Sequence, residues 1–121
     1  MSDAQELADR YVEVWNQPDS ERRQLLIRDL WAADGVHFVG TREAIGYEAL
    51  QQRVTGSHEK NVRDKGYRFR AVQNAMALRD VVTFQWEMIE AATDRVAATG
   101  LEFLVLNQEH KVRTDYQFIV G

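Results

Sequence analysis

Tyr11, His37, Glu102 and Asp115 are the side chains whose types and settings suit proton transfer. Tyr11 belongs to a stripe of Ala4, Leu7, Ala8, Tyr11, Val12 and Trp15 at helical spacing, so its ring is expected inside while its hydroxyl needs a partner. That hydroxyl either closes a core hydrogen bond or donates to a substrate oxygen. His37 lies in the β-rich run Val36 to Gly40 and points with Val39, opposite to Val36 and Phe38. It is either an acid–base group or a partly buried strand residue bonded to a neighbour. Asp115 shares a strand face with Gln117 and Ile119 and is either an acid–base group or a salt-bridge partner of Arg113 or Arg95. Glu102 sits between Leu101 and Phe103, where it is either buried with a raised pKa or turned to solvent.

A ligand for such groups would be apolar, because Trp15, Trp31, Phe69, Trp86 and Met88 can wall a pocket for a flat, ring-containing molecule. The same residues could instead simply fill a core, and Trp86 is the tryptophan expected to touch a ligand. No metal set is expected: His58 falls on a helix and His110 in a turn, leaving His37 without a second histidine. Glycine-rich phosphate loops, a Gly-x-Ser-x-Gly elbow and a His-Glu-x-x-His helix are all missing from the sequence. No cofactor is therefore expected.

The elements that must position these groups can be read from periodicity. One helix is predicted from Ala4 to Asn16, with Ser2 and Gln5 as a capping box, and Pro18 ends it. A second helix, capped by Asp19 or Ser20, runs to about Trp31 and turns Leu25, Leu26 and Leu30 inward. Ala32 to Gly35 reads as a turn before a first strand, Val36 to Gly40. A third helix spans Tyr47 to about Val62 and is closed by Gly66. Alternation then predicts four strands, Tyr67 to Val72, Val81 to Met88, Val96 to Leu106 and Val112 to Val120, with Val82, Phe84, Trp86 and Met88 on one face. The order ααβαββββ implies a single α+β domain over residues 1–121, a cystatin-like cone whose curved mixed sheet wraps the N-terminal helices around a pocket.

The 121 residues, 45% hydrophobic and 28% charged, suit one globular domain with a real core. A net charge of −4 argues against a nucleic-acid partner, and the acidic start and lack of a long apolar run argue against a membrane partner and for a cytoplasmic location. The absence of cysteine removes disulfides, thiolate sites and a cysteine nucleophile.

Arg10-Tyr11-Val12-Glu13-Val14-Trp15-Asn16 with Pro18-Asp19, then Leu30-Trp31-Ala32-Ala33-Asp34-Gly35-Val36, resembles the opening of the SnoaL-like, polyketide cyclase-like branch of the nuclear transport factor 2-like superfamily. Phe84-Gln85-Trp86-Glu87-Met88, Gly100-Leu101-Glu102 and Asp115-Tyr116-Gln117-Phe118-Ile119 are similar to its later strands. The family holds ketosteroid isomerases, polyketide cyclases, dehydratases and epoxide hydrolases, so the resemblance implies a pocket, usually in a homodimer, and no particular reaction. It would make Tyr11 the tyrosine that donates to a developing oxyanion and Glu102 the second, protonated donor. It puts the isomerase base at Val39, which cannot accept a proton, and it likens Asp115 to the aspartate proposed as catalytic in polyketide cyclases. Trp15, Val39, Phe69, Trp86, Met88, Glu102 and Gln117 are the expected contacts to a hydrophobic small molecule. Two readings stay open: a cofactor-independent isomerase, cyclase or dehydratase, and a non-catalytic ligand-binding or dimerisation module.

Overall fold

A computed structural model describes residues 3–121. The elements are α1 (Asp3–Asn16), α2 (Ser20–Leu30), β1 (Trp31–Val39), β2 (Arg42–Ile45), α3 (Gly46–Ser57), a π-helical turn (His58–Asp64), β3 (Tyr67–Ala71), β4 (Met76–Leu78), β5 (Val81–Glu90), β6 (Val96–Leu106) and β7 (Val112–Ile119). The strands form one mixed sheet in the order β2-β1-β7-β6-β5-β3, with β4 also paired to β5. Only β1 and β7 run parallel among these pairs. This is the expected α+β architecture, a curved sheet around N-terminal helices.

α1 follows its stripe: Ala4, Leu7, Ala8, Tyr11, Val12 and Trp15 are all buried against the sheet. The expected Ser2–Gln5 capping box involves Ser2, which lies outside the described residues; the Gln5 amide donates to the Val72 carbonyl and accepts from the Ala75 N–H. At the other end of α1, the Asn16 side chain donates to the Phe69 carbonyl at 2.7 Å and accepts its N–H at 2.8 Å. Asn16 thus completes the edge of β3 as another strand would. Asp19 caps α2 through the Arg22 N–H. Arg23 is buried and donates to the Gln17 and Pro18 carbonyls and to Thr55 Oγ1, tying the α1–α2 turn to α3.

Details of the elements depart from the sequence-based expectation, β4 (Met76–Leu78) among them. Leu25 is exposed and Ile27 is buried in its place, because the inward stripe of α2 runs through Arg23, Ile27 and Leu30. Ala32 to Gly35 is not a turn but part of β1, where the register slips between Trp31 and Val36. β2 pairs with β1 through a tight turn at Gly40, whose φ of +56° is one that glycine adopts freely. Finally, α3 gives way at Ser57 to the π-helical turn rather than continuing as an α-helix to Val62.

The two sheet faces differ. Inward stand Val82, Phe84, Trp86, Leu104 and Val112, all buried. Outward, Thr83, Gln85 and Glu87 of β5 pair with Phe103, Leu101 and Thr99 of β6. There Phe38 stacks on Tyr116, ring centroids 5.5 Å apart, and Phe103 meets Phe118 edge-on.

Gly100 lies opposite Trp86 in the β5–β6 ladder, and a methyl group there would come within 2.0 Å of the Trp86 ring. The indole therefore lies across β6 only because Gly100 has no side chain. Gly100→Ala is expected to lower stability by about 1–3 kcal/mol or more through this overlap. Gly56→Ala in α3, where nothing lies within 4 Å, should instead raise it by about 0.5–1 kcal/mol. Urea denaturation of the two variants checks both signs.

Candidate functional site

The site is built by register. His37 of β1 is the direct partner of Asp115 in the parallel ladder with β7. Across the next, antiparallel ladder, Glu102 of β6 faces Gln117 and Leu104 faces Asp115, so Glu102 and Asp115 are diagonal neighbours on one face. Three adjacent strands thus carry His37, Asp115 and Glu102 in a row, and α1 lays Tyr11 over them. All four are buried, with Glu102 and Asp115 at 0% exposure.

Their polar atoms converge on Asp115. The Tyr11 hydroxyl donates to Oδ2 at 2.5 Å, and His37 Nδ1 lies 2.7 Å from the same oxygen. Trp86 Nε1 donates to Glu102 Oε1 at 2.9 Å, the contact that the Gly100 gap permits. An ionised Asp115 accepts only, so His37 Nδ1 carries a proton, and Nε2 has no partner among the described residues. Asp115 Oδ1 and Glu102 Oε2 also have no donor if both carboxyls are ionised. One proton on Glu102, given to Asp115, satisfies both oxygens.

The electrostatics agree with that accounting. Burial, then the adjoining Asp115 charge and its hydrogen bond, holds the Glu102 carboxyl well above the ordinary carboxylate range, against weaker opposition from Trp86 and Tyr11. Burial, followed by the charges of Asp115 and Glu102, likewise raises the Tyr11 phenol well above its usual value. At neutral pH both are O–H donors beside a single carboxylate.

A cavity of about 610 Å³ opens between α1, α3 and the strands, and Tyr11, Trp15, Phe69, Trp86, Met88, Glu102 and Gln117 all line it. A smaller one of about 480 Å³ is lined by His37, and Arg42, Gln52 and Arg53 line both. Two expected site residues line neither. Val39, half-buried, sits beside Gln117 in the β1–β7 ladder. Asp115, with no exposure, lies behind Tyr11 and His37, which both contact its Oδ2. Its expected alternative partners are otherwise placed: Arg95 bonds Glu90, and Arg113 is exposed. His58 Nδ1 lies 3.1 Å from the Trp15 carbonyl and serves the fold. Trp31 packs with no exposure and lines neither cavity. Among the described residues no group of three or more histidines and carboxylates could hold a metal.

Arg53 and Arg42 were not legible as site residues. The signal was present for Arg53, which lies three residues after Leu50 and four before Ser57 and so falls on the buried stripe of α3.

A pH dependence follows from Glu102. The unfolded chain releases this proton near pH ~4.3, whereas the folded chain keeps it well above that value. The folded state therefore binds more protons through neutral pH, and the stability contributed by this group falls as pH rises. Glu102→Gln, which keeps the shape and a donor without the titration, is expected to gain on the wild type as pH rises above the ordinary carboxylate range. Paired thermal melts at rising pH check it; a constant difference contradicts a neutral Glu102.

No protein-family model matches the sequence, and no curated protein matches it. Solved structures match over nearly the whole chain. A proposed isomerase of the SnoaL-like family from Agrobacterium tumefaciens superposes with a TM-score of 0.90 at 23% identity, covering 100% of both chains. A nuclear transport factor 2-like protein of unknown function from Exiguobacterium gives 0.73 at 17%, covering 95% of this chain and 98% of the other. A proposed polyketide cyclase from Sinorhizobium meliloti gives 0.69 at 9%, covering 93% of each. The chain has the fold of the SnoaL-like, nuclear transport factor 2-like proteins.

Proposed function

We propose that this protein is a cofactor-independent acid–base enzyme of the isomerase, cyclase or dehydratase kind, acting on an apolar carbonyl compound that lies in the larger cavity and reaches the smaller one where the two share Arg42, Gln52 and Arg53. The observation that carries this reading is the Asp115 carboxylate, shared by an imidazole that faces one cavity and by two neutral O–H donors that line the other. At rest both O–H groups turn toward Asp115. A ligand carbonyl oxygen beside them competes for one of these protons, which rotates about its C–O bond while Asp115 keeps the other donors.

In this mechanism Tyr11 and Glu102 stabilise negative charge that develops on the carbonyl oxygen as a neighbouring C–H bond is broken. Their own pKa values are raised, so neither is ionised beforehand. His37 Nε2 takes the carbon-bound proton, Asp115 stabilises the resulting imidazolium, and the imidazolium returns the proton to a different carbon. Proton count and charge balance over the cycle. The base is thus His37 and not the residue at Val39, where the resemblance to ketosteroid isomerases expects one. The apolar walls Trp15, Phe69, Trp86 and Met88 support a ring-bearing substrate and exclude water from the developing charge.

The test uses β-tetralone as a probe ketone in D2O, with loss of its α-proton NMR signal as the readout. The wild type is expected to accelerate exchange about 10²–10⁴-fold over buffer, with His37→Gln abolishing the gain and Tyr11→Phe or Glu102→Gln each removing about tenfold. Exchange at the buffer rate across a panel of cyclic ketones would overturn the enzyme reading.

A further inference from the structure

We propose that Arg53, supported by Arg42, is an anion subsite that holds the carboxylate of an apolar, ring-bearing ligand. The inference rests on the reading of the larger cavity as a small-molecule site, and it adds the charge of the molecule.

Charge distribution is the first argument. The chain carries a net charge of −4, yet the larger cavity is lined by Arg42, Arg53 and Lys60 against one carboxyl, Glu102, which holds its proton. Glu43 opens onto the smaller cavity, and no ion pair joins it to either arginine among the described residues. The cavity wall is therefore cationic in an acidic protein.

The second argument is a contrast between two inward arginines. Arg23 spends Nε and both terminal nitrogens on three protein acceptors. The surface arginines Arg63, Arg70 and Arg95 pair with carboxylates. Arg53 is half-buried, its Nε is buried without an acceptor, and no hydrogen bond or ion pair is made by its guanidinium among the described residues. An Nε–H buried without an acceptor is costly, and the field of a ligand anion beside the guanidinium offsets part of that cost.

Orientation is the third. The Arg53 guanidinium lies over the Trp15 ring, 5.1 Å from its centroid. Stacking occupies its face and leaves its in-plane terminal N–H groups for an acceptor. Burial lowers the Arg53 pKa and the nearby Arg42 charge adds to this, but an arginine still remains charged. Trp15 itself lines the cavity alongside Phe69, Trp86 and Met88. One ligand can therefore place an anion on Arg53, its ring on the aromatic wall and a carbonyl oxygen by Tyr11 and Glu102, as a ring-bearing oxo acid would.

Calorimetric titration with naphthoate and the uncharged naphthalenemethanol of matching substitution tests this without turnover. The wild type is expected to bind naphthoate about tenfold or more tightly than the alcohol, with the preference shrinking as salt is raised. Arg53→Gln should weaken naphthoate by about tenfold and alter the alcohol by less than about twofold, and the retained alcohol binding shows an intact cavity. Arg53→Lys should retain part of the preference and Arg42→Gln should lose part of it; these two variants carry the test if Arg53→Gln does not fold. Equal affinity for the two probes, or naphthoate binding unchanged in Arg53→Gln, overturns the subsite. Alcohol binding without naphthoate binding overturns the subsite alone. Failure of both probes to bind overturns the subsite and the small-molecule reading together.

Discussion

A carboxylate with no exposure cannot be left without donors, and Asp115 obtains its donors from three different elements. Tyr11 arrives from α1, His37 from β1 and the proton of Glu102 from β6. Each contact restricts the fold. β1 must run parallel to β7 in the register that sets His37 against Asp115, and the slip between Trp31 and Val36 is what brings the strand into that register. α1 must cross the sheet where Tyr11 can reach Oδ2. A shift of one residue in either strand would turn its polar group to the outer face and strand the charge. The same centre that fixes the sheet against the helix therefore fixes the proton-bearing groups of the cavity.

Around that centre, packing details become site geometry. The missing side chain at Gly100 lets the Trp86 indole lie over β6 and hold Glu102 Oε1, leaving Oε2 for Asp115. Asn16 pins the end of α1 to β3, which places Trp15 and Phe69 on neighbouring parts of the same wall. Arg23 locks the α1–α2 turn to Thr55, two residues along α3 from Arg53. Structural and functional roles overlap here because the cavity is formed by the same residues that close the core. The cavity opens where α3 gives way to the π-helical turn, with Gly56, Ser57, Lys60 and Asn61 among its lining residues.

The long periodic elements were legible in the sequence, and so were the residue types of the site. Tyr11 is buried because an apolar stripe carries it, and His37 faces inward because a short strand alternates. Their meeting at Asp115 was not legible, since it depends on a parallel pairing across 78 residues of sequence that no local pattern encodes. Glu102 was ambiguous for a related reason: Leu101 and Phe103 beside it are apolar, yet they cover the outer face, so alternation alone could not say which side faces the core. β2 and β4 escaped notice because they are four and three residues long and mostly exposed. Asp34-Gly35 carries turn chemistry inside what is a bulged strand. Arg53 was not legible because a charged residue on the inner side of α3 gains a role only from the cavity beside it.

The account stands on where protons lie around Asp115, and neutron diffraction from deuterated crystals at neutral pH locates them directly. It predicts deuterium on Glu102 Oε2 directed at Asp115 Oδ1, on the Tyr11 hydroxyl and on His37 Nδ1, with none on either oxygen of Asp115. Deuterium on Asp115 with a bare Glu102 carboxylate would contradict it.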